Sequence, residues 1–305
     1  MTPPHVEWPT IAVAVAIAGG LGAVLTWHEH LPTIAVVVAL ALLSGWYGSL
    51  QHEVIHGHPT PWPVVNTALA SVPIGLVVRF ADYRRTHLDH HAAPDLTDPD
   101  TDPESFYVSP QRWARAGPLE RALLIACSTL AGRLILGPVV VTAGQCRREA
   151  RAIRAGQAGR VFGHVATVIV VLAVVRTASV PVWVYVLGAG WGGLAVVLLR
   201  SYPEHRAVAD GSRSAVVRSN LAGRLLFLNN NLHHTHHAQP GLAWYALPAA
   251  HERRGDDAAV RAGAGWYRGY GEVARRHLFR PFDDLDWRLA SRTDVVENGA
   301  VETIR

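Results

Sequence analysis

The sequence predicts an all-α membrane protein: four transmembrane helices, interfacial helices, and a cytoplasmic cap carrying a histidine-rich site for two metals. Three observations support this. Four apolar runs, near residues 11–27, 33–50, 161–175 and 182–199, contain no Asp, Glu or Arg. At 1.5 Å per residue the first two, 17 and 18 residues long, are at the short end for spanning about 30 Å of hydrocarbon. Half of the 305 residues are hydrophobic and only 17% are charged, against roughly 25% in soluble domains. Finally, 17 histidines are present, and eight of them fall into three short clusters.

Composition also excludes several classes. Net charge is +4 and every basic residue is Arg, which gives no basis for nucleic-acid binding. Two cysteines, Cys127 and Cys146, are too few for a disulfide scaffold or an iron–sulfur site. No basic n-region precedes the first apolar run, so no cleaved signal peptide is expected. No glycine fingerprint stands in the strand-to-helix context of a dinucleotide site, and no internal repeat occurs.

The first two runs are joined only by His28-Glu29-His30-Leu31-Pro32, which allows nothing but a helical hairpin. The second run leads directly into His52 and His56. Residues 63–78 are apolar but interrupted by Asn66, Ser71 and Pro73. If both flanks reach one metal centre this stretch does not cross, and it is expected as an interfacial or re-entrant helix. Residues 119–144 carry Arg121, Arg133 and Pro138 and are expected as a pair of short interfacial helices, with a broken spanning hairpin as the alternative. The third and fourth runs form a second hairpin about the turn at 176–181, and His164 inside the third is expected to be packed rather than ligating. Residues 266–287 mix aromatics with Arg275, Arg276 and Arg280, which suits a helix lying at the interface. The expected organisation is a catalytic domain over 1–250 and a cytoplasmic interfacial helix and tail over 251–305.

Arginine placement orients the chain. Clusters at 79–85, 147–160 and 200–224 lie on the histidine side, whereas the two opposite turns carry only Arg176. By the positive-inside rule the histidines face the cytoplasm, which places the chain in the cell inner membrane.

The histidine clusters have a shared grammar. His-x-x-His-His occurs at His87, His90, His91 and again at His233, His236, His237. One such match is expected about 0.05 times by chance. On a helix, positions i, i+3 and i+4 share a face, so three imidazoles converge. His52 and His56 add an i, i+4 pair, and His205, just beyond the fourth run, is a candidate ninth ligand. Imidazole suits zinc, copper, iron and nickel, and this many ligands exceed one tetrahedral site, so two metals are expected. Metal-bound imidazoles are usually oriented by a carboxylate or amide on the other ring nitrogen. The candidates are Glu204, Asn230 and Asp98, the last in the acidic loop 95–104. Asn229, Asn230 and Asn231 are also expected to cap the helix carrying the third cluster.

Over residues 30–250 this pattern resembles the membrane fatty acid desaturase superfamily. The phrases Leu228-Asn229-Asn230-Asn231-Leu232-His233-His234-Thr235-His236-His237 and Pro240-Gly241-Leu242-Ala243-Trp244-Tyr245-Ala246-Leu247-Pro248 are similar to a bacterial branch. That branch includes the desaturase acting on dihydrorhizobitoxine, an amino-acid-derived compound. The resemblance implies two iron ions, O2 as co-substrate, a membrane lipid or related substrate, and a ferredoxin-like or cytochrome b5-like electron donor with its reductase. It also implies a ninth histidine after the fourth span, which supports His205. Three residues separate His52 from His56, where many acyl desaturases have four. A hydroxylase or ketolase of the same fold is the alternative, and a metal transporter a remote one. A transporter requires ionisable residues along its spans, and these runs have almost none.

Overall fold

The computed structural model describes residues 3–209, 211–255 and 257–285. The chain runs through α1 (Trp8–Trp27), α2 (Thr33–Ile55), α3 (Pro63–Ala70), α4 (Phe80–His91), α5 (Pro110–Arg115), α6 (Pro118–Cys127), α7 (Leu130–Ile135), α8 (Gly137–Arg154), α9 (Ala158–Thr177) and α10 (Val182–Ser201). Then come β1 (Val216–Val217), α11 (Leu221–Leu226), α12 (His233–Ala238), α13 (Leu247–Arg254), α14 (Asp257–Ala262), β2 (Trp266–Tyr267) and α15 (Tyr270–His277). The described residues contain four helices long and apolar enough to cross a membrane: α1, α2, α9 and α10.

The fold divides into two compact units that interleave along the chain, residues 1–84 with 137–198, and residues 85–136 with 199–305. In the first, α2 packs closely on α10. A β-carbon at Gly188 would lie 2.9 Å from the Val37 carbonyl oxygen and 2.8 Å from Leu40 Cβ, and one at Gly192 would lie 2.6 Å from Ala41 Cβ. Such contacts are shorter than van der Waals distance, so the absence of a side chain is what lets the backbones approach. Over Val186–Gly192 the helix widens to a π-helical turn. Ser44 Oγ donates to the Ala189 carbonyl there at 2.8 Å, holding the widened turn against α2. Val24, Val36, Leu40, Val175, Val184 and Ala189 fill the centre of this unit.

The second unit is built differently. Short helices and loops surround a two-stranded parallel ribbon, with Val216 opposite Trp266 and Val217 opposite Tyr267. Leu130, Tyr202, Val217, Tyr267, Val273 and Phe282 form one of its cores, and Val216, Leu232, Leu247 and Val260 another.

Several expectations need correction. The apolar stretch 63–78 is helical only as far as Ala70; Leu76 then adopts a left-handed backbone (φ 65°), which ends any regular helix. Residues 119–144 form not a pair but α6, α7 and the first half of α8. The interfacial helix expected over 266–287 is not one element. Trp266 and Tyr267 are a strand, because β1 offers them backbone partners, and only Tyr270–His277 is helical; Trp287 lies outside the described residues.

Candidate metal centre

Seven of the nine histidines expected as ligands lie in the second unit. His87, His90 and His91 come from the last turns of α4, His205 follows α10, and His233, His236 and His237 form one face of α12. The chain enters α12 through Leu228 and Asn229, both left-handed (φ 46° and 53°). That conformation is costly for leucine and marks a turn fixed by its surroundings. No asparagine caps α12, contrary to expectation: its N-cap is Leu232 and makes no side-chain cap bond. The three side chains are pulled elsewhere. Asn229 donates to the Trp244 carbonyl (2.9 Å), Asn231 to the Val217 carbonyl (2.7 Å), and Asn230 to Glu204 Oε1 (3.2 Å).

His90, His205, His233 and His237 each present a ring nitrogen within 4.8 Å of the others. Their Nε2 atoms approach to 3.1 Å (90–205), 3.3 Å (90–237), 2.8 Å (205–233) and 3.1 Å (233–237). A second set gathers His87, His91 and His236, with Nε2 separations of 3.1 Å from His91 to each of the others. His52, on α2, and His56, its C-cap, belong to the first unit; both are buried, with ring centroids 5.0 Å apart.

The far ring nitrogens identify the tautomers. His90 Nδ1–H donates to Asp102 Oδ1 at 2.7 Å, and His87 Nδ1–H to Glu104 Oε2 at 3.1 Å. His233 Nδ1–H donates to Asn230 Oδ1 at 3.2 Å, and His205 Nδ1–H to the Arg213 carbonyl at 3.3 Å. With the proton on Nδ1, each Nε2 carries an unshared pair toward its neighbours. Crowded lone pairs repel unless a cation sits among them, so this donor set suits divalent metal.

Electrostatics agree. Burial lowers the pKa of His91 and His205 to about 3, reinforced by neighbouring imidazoles, and pushes His233 and His237 well below the usual histidine value. These rings are neutral and ready to ligate. Burial acts on His90 in the same direction, but the Asp102 hydrogen bond and surrounding carboxylates outweigh it and raise its pKa. Burial pushes Glu204 up to about 7, against the opposing charge of Arg200, whose Nε lies 3.1 Å from its Oε1. A cavity of about 40 Å³ bounded by Asp102, Glu104, Glu204, His205 and Arg133 is large enough for ordered water.

Of the supporting candidates, Glu204 and Asn230 form one relay to His233. Asp98 does not reach a histidine: its Oδ1 accepts the Asp100 N–H. The carboxylates of that loop that do are Asp102 and Glu104, and Asp102 also accepts the N–H groups of Thr97 and Glu104. The sequence signals an acidic loop but not which carboxylate turns inward, since that depends on the loop's own hydrogen bonds. His234 points to Ser212 (2.7 Å), His164 is half-buried on α9, and His28 bonds the Leu25 carbonyl.

A family model described as fatty acid desaturase matches residues 25–269. The chain belongs to the fatty acid desaturase family. No curated protein matches it in sequence. Membership makes it an oxidoreductase, and the four apolar helices make this desaturase-family chain an integral membrane protein. The family is of the di-iron type, and the lone pairs converging in the second unit fit that requirement.

Proposed function

We propose that the protein is a di-iron, O2-dependent desaturase that introduces a carbon–carbon double bond into an acyl lipid or an amino-acid-derived, membrane-partitioning substrate. The carrying observation is the convergence of four imidazoles, three of them anchored through Nδ1, on one small volume. The proposed ligands are His52, His56, His87, His90, His91, His205, His233, His236 and His237. His52 and His56 enter by their spacing, their burial, and their place at the end of a spanning helix. Resemblance around Asn229–His237 supports the amino-acid-derived class of substrate.

Iron, when bound, supplies the oxidant that O2 activation makes possible and that an unactivated C–H bond requires. The overall change is R–CH2–CH2–R′ + O2 + 2 e⁻ + 2 H⁺ → R–CH=CH–R′ + 2 H2O. The two added electrons come from a ferredoxin-like or cytochrome b5-like donor and its reductase, since the chain itself has no redox-carrier motif. The protein's own part is to hold nine rings in place: Asp102 and Glu104 fix His90 and His87, and the Glu204–Asn230 pair fixes His233. Arginine-rich segments at 79–85, 147–160 and 200–224 support a cytoplasmic site in the cell inner membrane.

Expression with a donor system, followed by comparison of lipids and metabolites with and without the protein, tests this reading. A new product lighter by two hydrogens is expected. Retention of label from ¹⁸O2 in the product identifies a hydroxylase or ketolase instead. Purified protein without iron and without donor-dependent O2 consumption overturns the enzymatic reading.

A further inference from the structure

His56 ends α2, and the next residues turn back sharply. Gly57 is left-handed (φ 103°), and the His58 N–H returns to the Glu53 carbonyl at 3.3 Å. This turn, residues 57–60, is held from two sides. On one, Asn66 of α3 donates to the carbonyls of Gly57 and Thr60 (2.8 Å each) and accepts from the Thr60 N–H (3.0 Å) and Oγ1–H (2.7 Å). On the other stands Glu7, before α1. Its Oε1 accepts from His58 Nδ1–H at 2.8 Å, and its own N–H donates to the Pro59 carbonyl at 2.9 Å. Thr10 Oγ1 donates to the second carboxylate oxygen at 3.4 Å.

Glu7 and His58 are 5% and 4% exposed. Burying a carboxylate is costly, and starting a helix does not require it: an exposed Ser, Asn or Asp caps as well. The cost is offset chiefly by the short hydrogen bond from the His58 ring, with Thr10 on the second oxygen. Residue 7 also lies outside the stretch the family shares, residues 25–269.

We infer that Glu7 is a positioning residue for the His52–His56 half of the metal centre, acting through His58 to fix the turn that orients the His56 ring. This rests on the proposal that His52 and His56 ligate iron. Removing the carboxylate leaves that side of the turn held only by the backbone N–H of residue 7 on the Pro59 carbonyl, with no hold on the His58 ring. Iron in that half then binds more weakly, by about tenfold, the low end of what distant orienting groups contribute. The four-histidine set in the other unit keeps its iron.

The test compares wild type, Glu7→Ala, Glu7→Gln, His58→Phe and His56→Ala, each purified full-length in detergent. Readouts are iron per chain, Mössbauer spectra, chelator release rates and melting of the metal-free protein. In Glu7→Ala and His58→Phe iron falls toward half the wild-type content, release from the weakened half is about tenfold faster, and one Mössbauer component fades. Glu7→Gln retains an acceptor and restores wild-type iron. The inference is overturned if Glu7→Ala and His58→Phe hold wild-type iron while His56→Ala loses it. It is equally overturned if neither variant yields folded metal-free protein, because Glu7 then serves the fold. Wild-type iron in His56→Ala sinks the ligand assignment instead.

Discussion

His90 Nδ1 and Asp102 Oδ1 lie 2.7 Å apart, both side chains only 1% exposed. The pair fixes the ring proton on the outer nitrogen and aims Nε2 at His205 and His237. Because Asp102 also accepts two backbone N–H groups of its own loop, it cannot swing away to follow a displaced ring.

Asp102→Asn is expected to lower iron affinity or turnover by about 10–100-fold. The amide can present a donor to Nδ1, which favours the wrong tautomer. Asp98→Asn, on the same loop but with its carboxylate on the Asp100 N–H and not on a histidine, should leave both near wild type. Iron titration of the two variants side by side distinguishes them; equal losses would show that the loop acts only as a whole.

His205→Ala removes the ring whose Nε2 lies 2.8 Å from that of His233 and 3.1 Å from that of His90. Activity should be abolished and iron reduced, while membrane insertion and elution volume are unchanged. His28→Ala, at the turn after α1, should change neither iron nor activity. Full activity in His205→Ala removes it from the ligand set.

Asp82, on α4 ahead of its three histidines, provides a pH test of the fold. Burial alone would raise its pKa, but hydrogen bonds from Arg79 and Gln145 and the charge of Arg160 hold it below the usual carboxylate value. Folded Asp82 therefore gives up its proton more readily than unfolded Asp82. Its stabilisation is complete above the unfolded value of about 4 and is lost as pH falls through the lower folded value. Asp82→Asn should destabilise by about 1–3 kcal/mol at pH 7, with the difference from wild type shrinking below about pH 4. Melting curves at several pH values in detergent check it; a difference constant with pH refutes the charge argument.

Gly188→Val should destabilise the α2–α10 contact by about 1–3 kcal/mol, because the new carbon meets the Val37 carbonyl and Leu40 directly. Gly163→Ala, where nothing lies within 4 Å, should be neutral. Comparative melting in one detergent decides it.

The four spans and the histidine grammar are legible in the sequence because each is local. A run without charge avoids the cost of placing ionised groups in hydrocarbon, and i, i+3, i+4 spacing places rings on one helical face. Leu232 and the asparagines before it show where local reasoning ends. Asn229, Asn230 and Asn231 read as caps, yet each finds a distant partner, Trp244, Glu204 or Val217, that competes for the same side-chain atoms. Trp266 and Tyr267 read as helix and become a strand for a similar reason, since β1, fifty residues earlier, offers paired backbone groups.

By itself the sequence determined the class of protein, the number of spans and the residue types available to hold metal, since composition and spacing are properties of neighbouring residues. Tertiary structure alone decided which carboxylates support which rings: Asp102 and Glu104 rather than Asp98, and Glu204 through Asn230. It also decided that Glu7 faces His58. Each of those choices is a hydrogen bond won by geometry between segments far apart in the chain, and no periodicity encodes it.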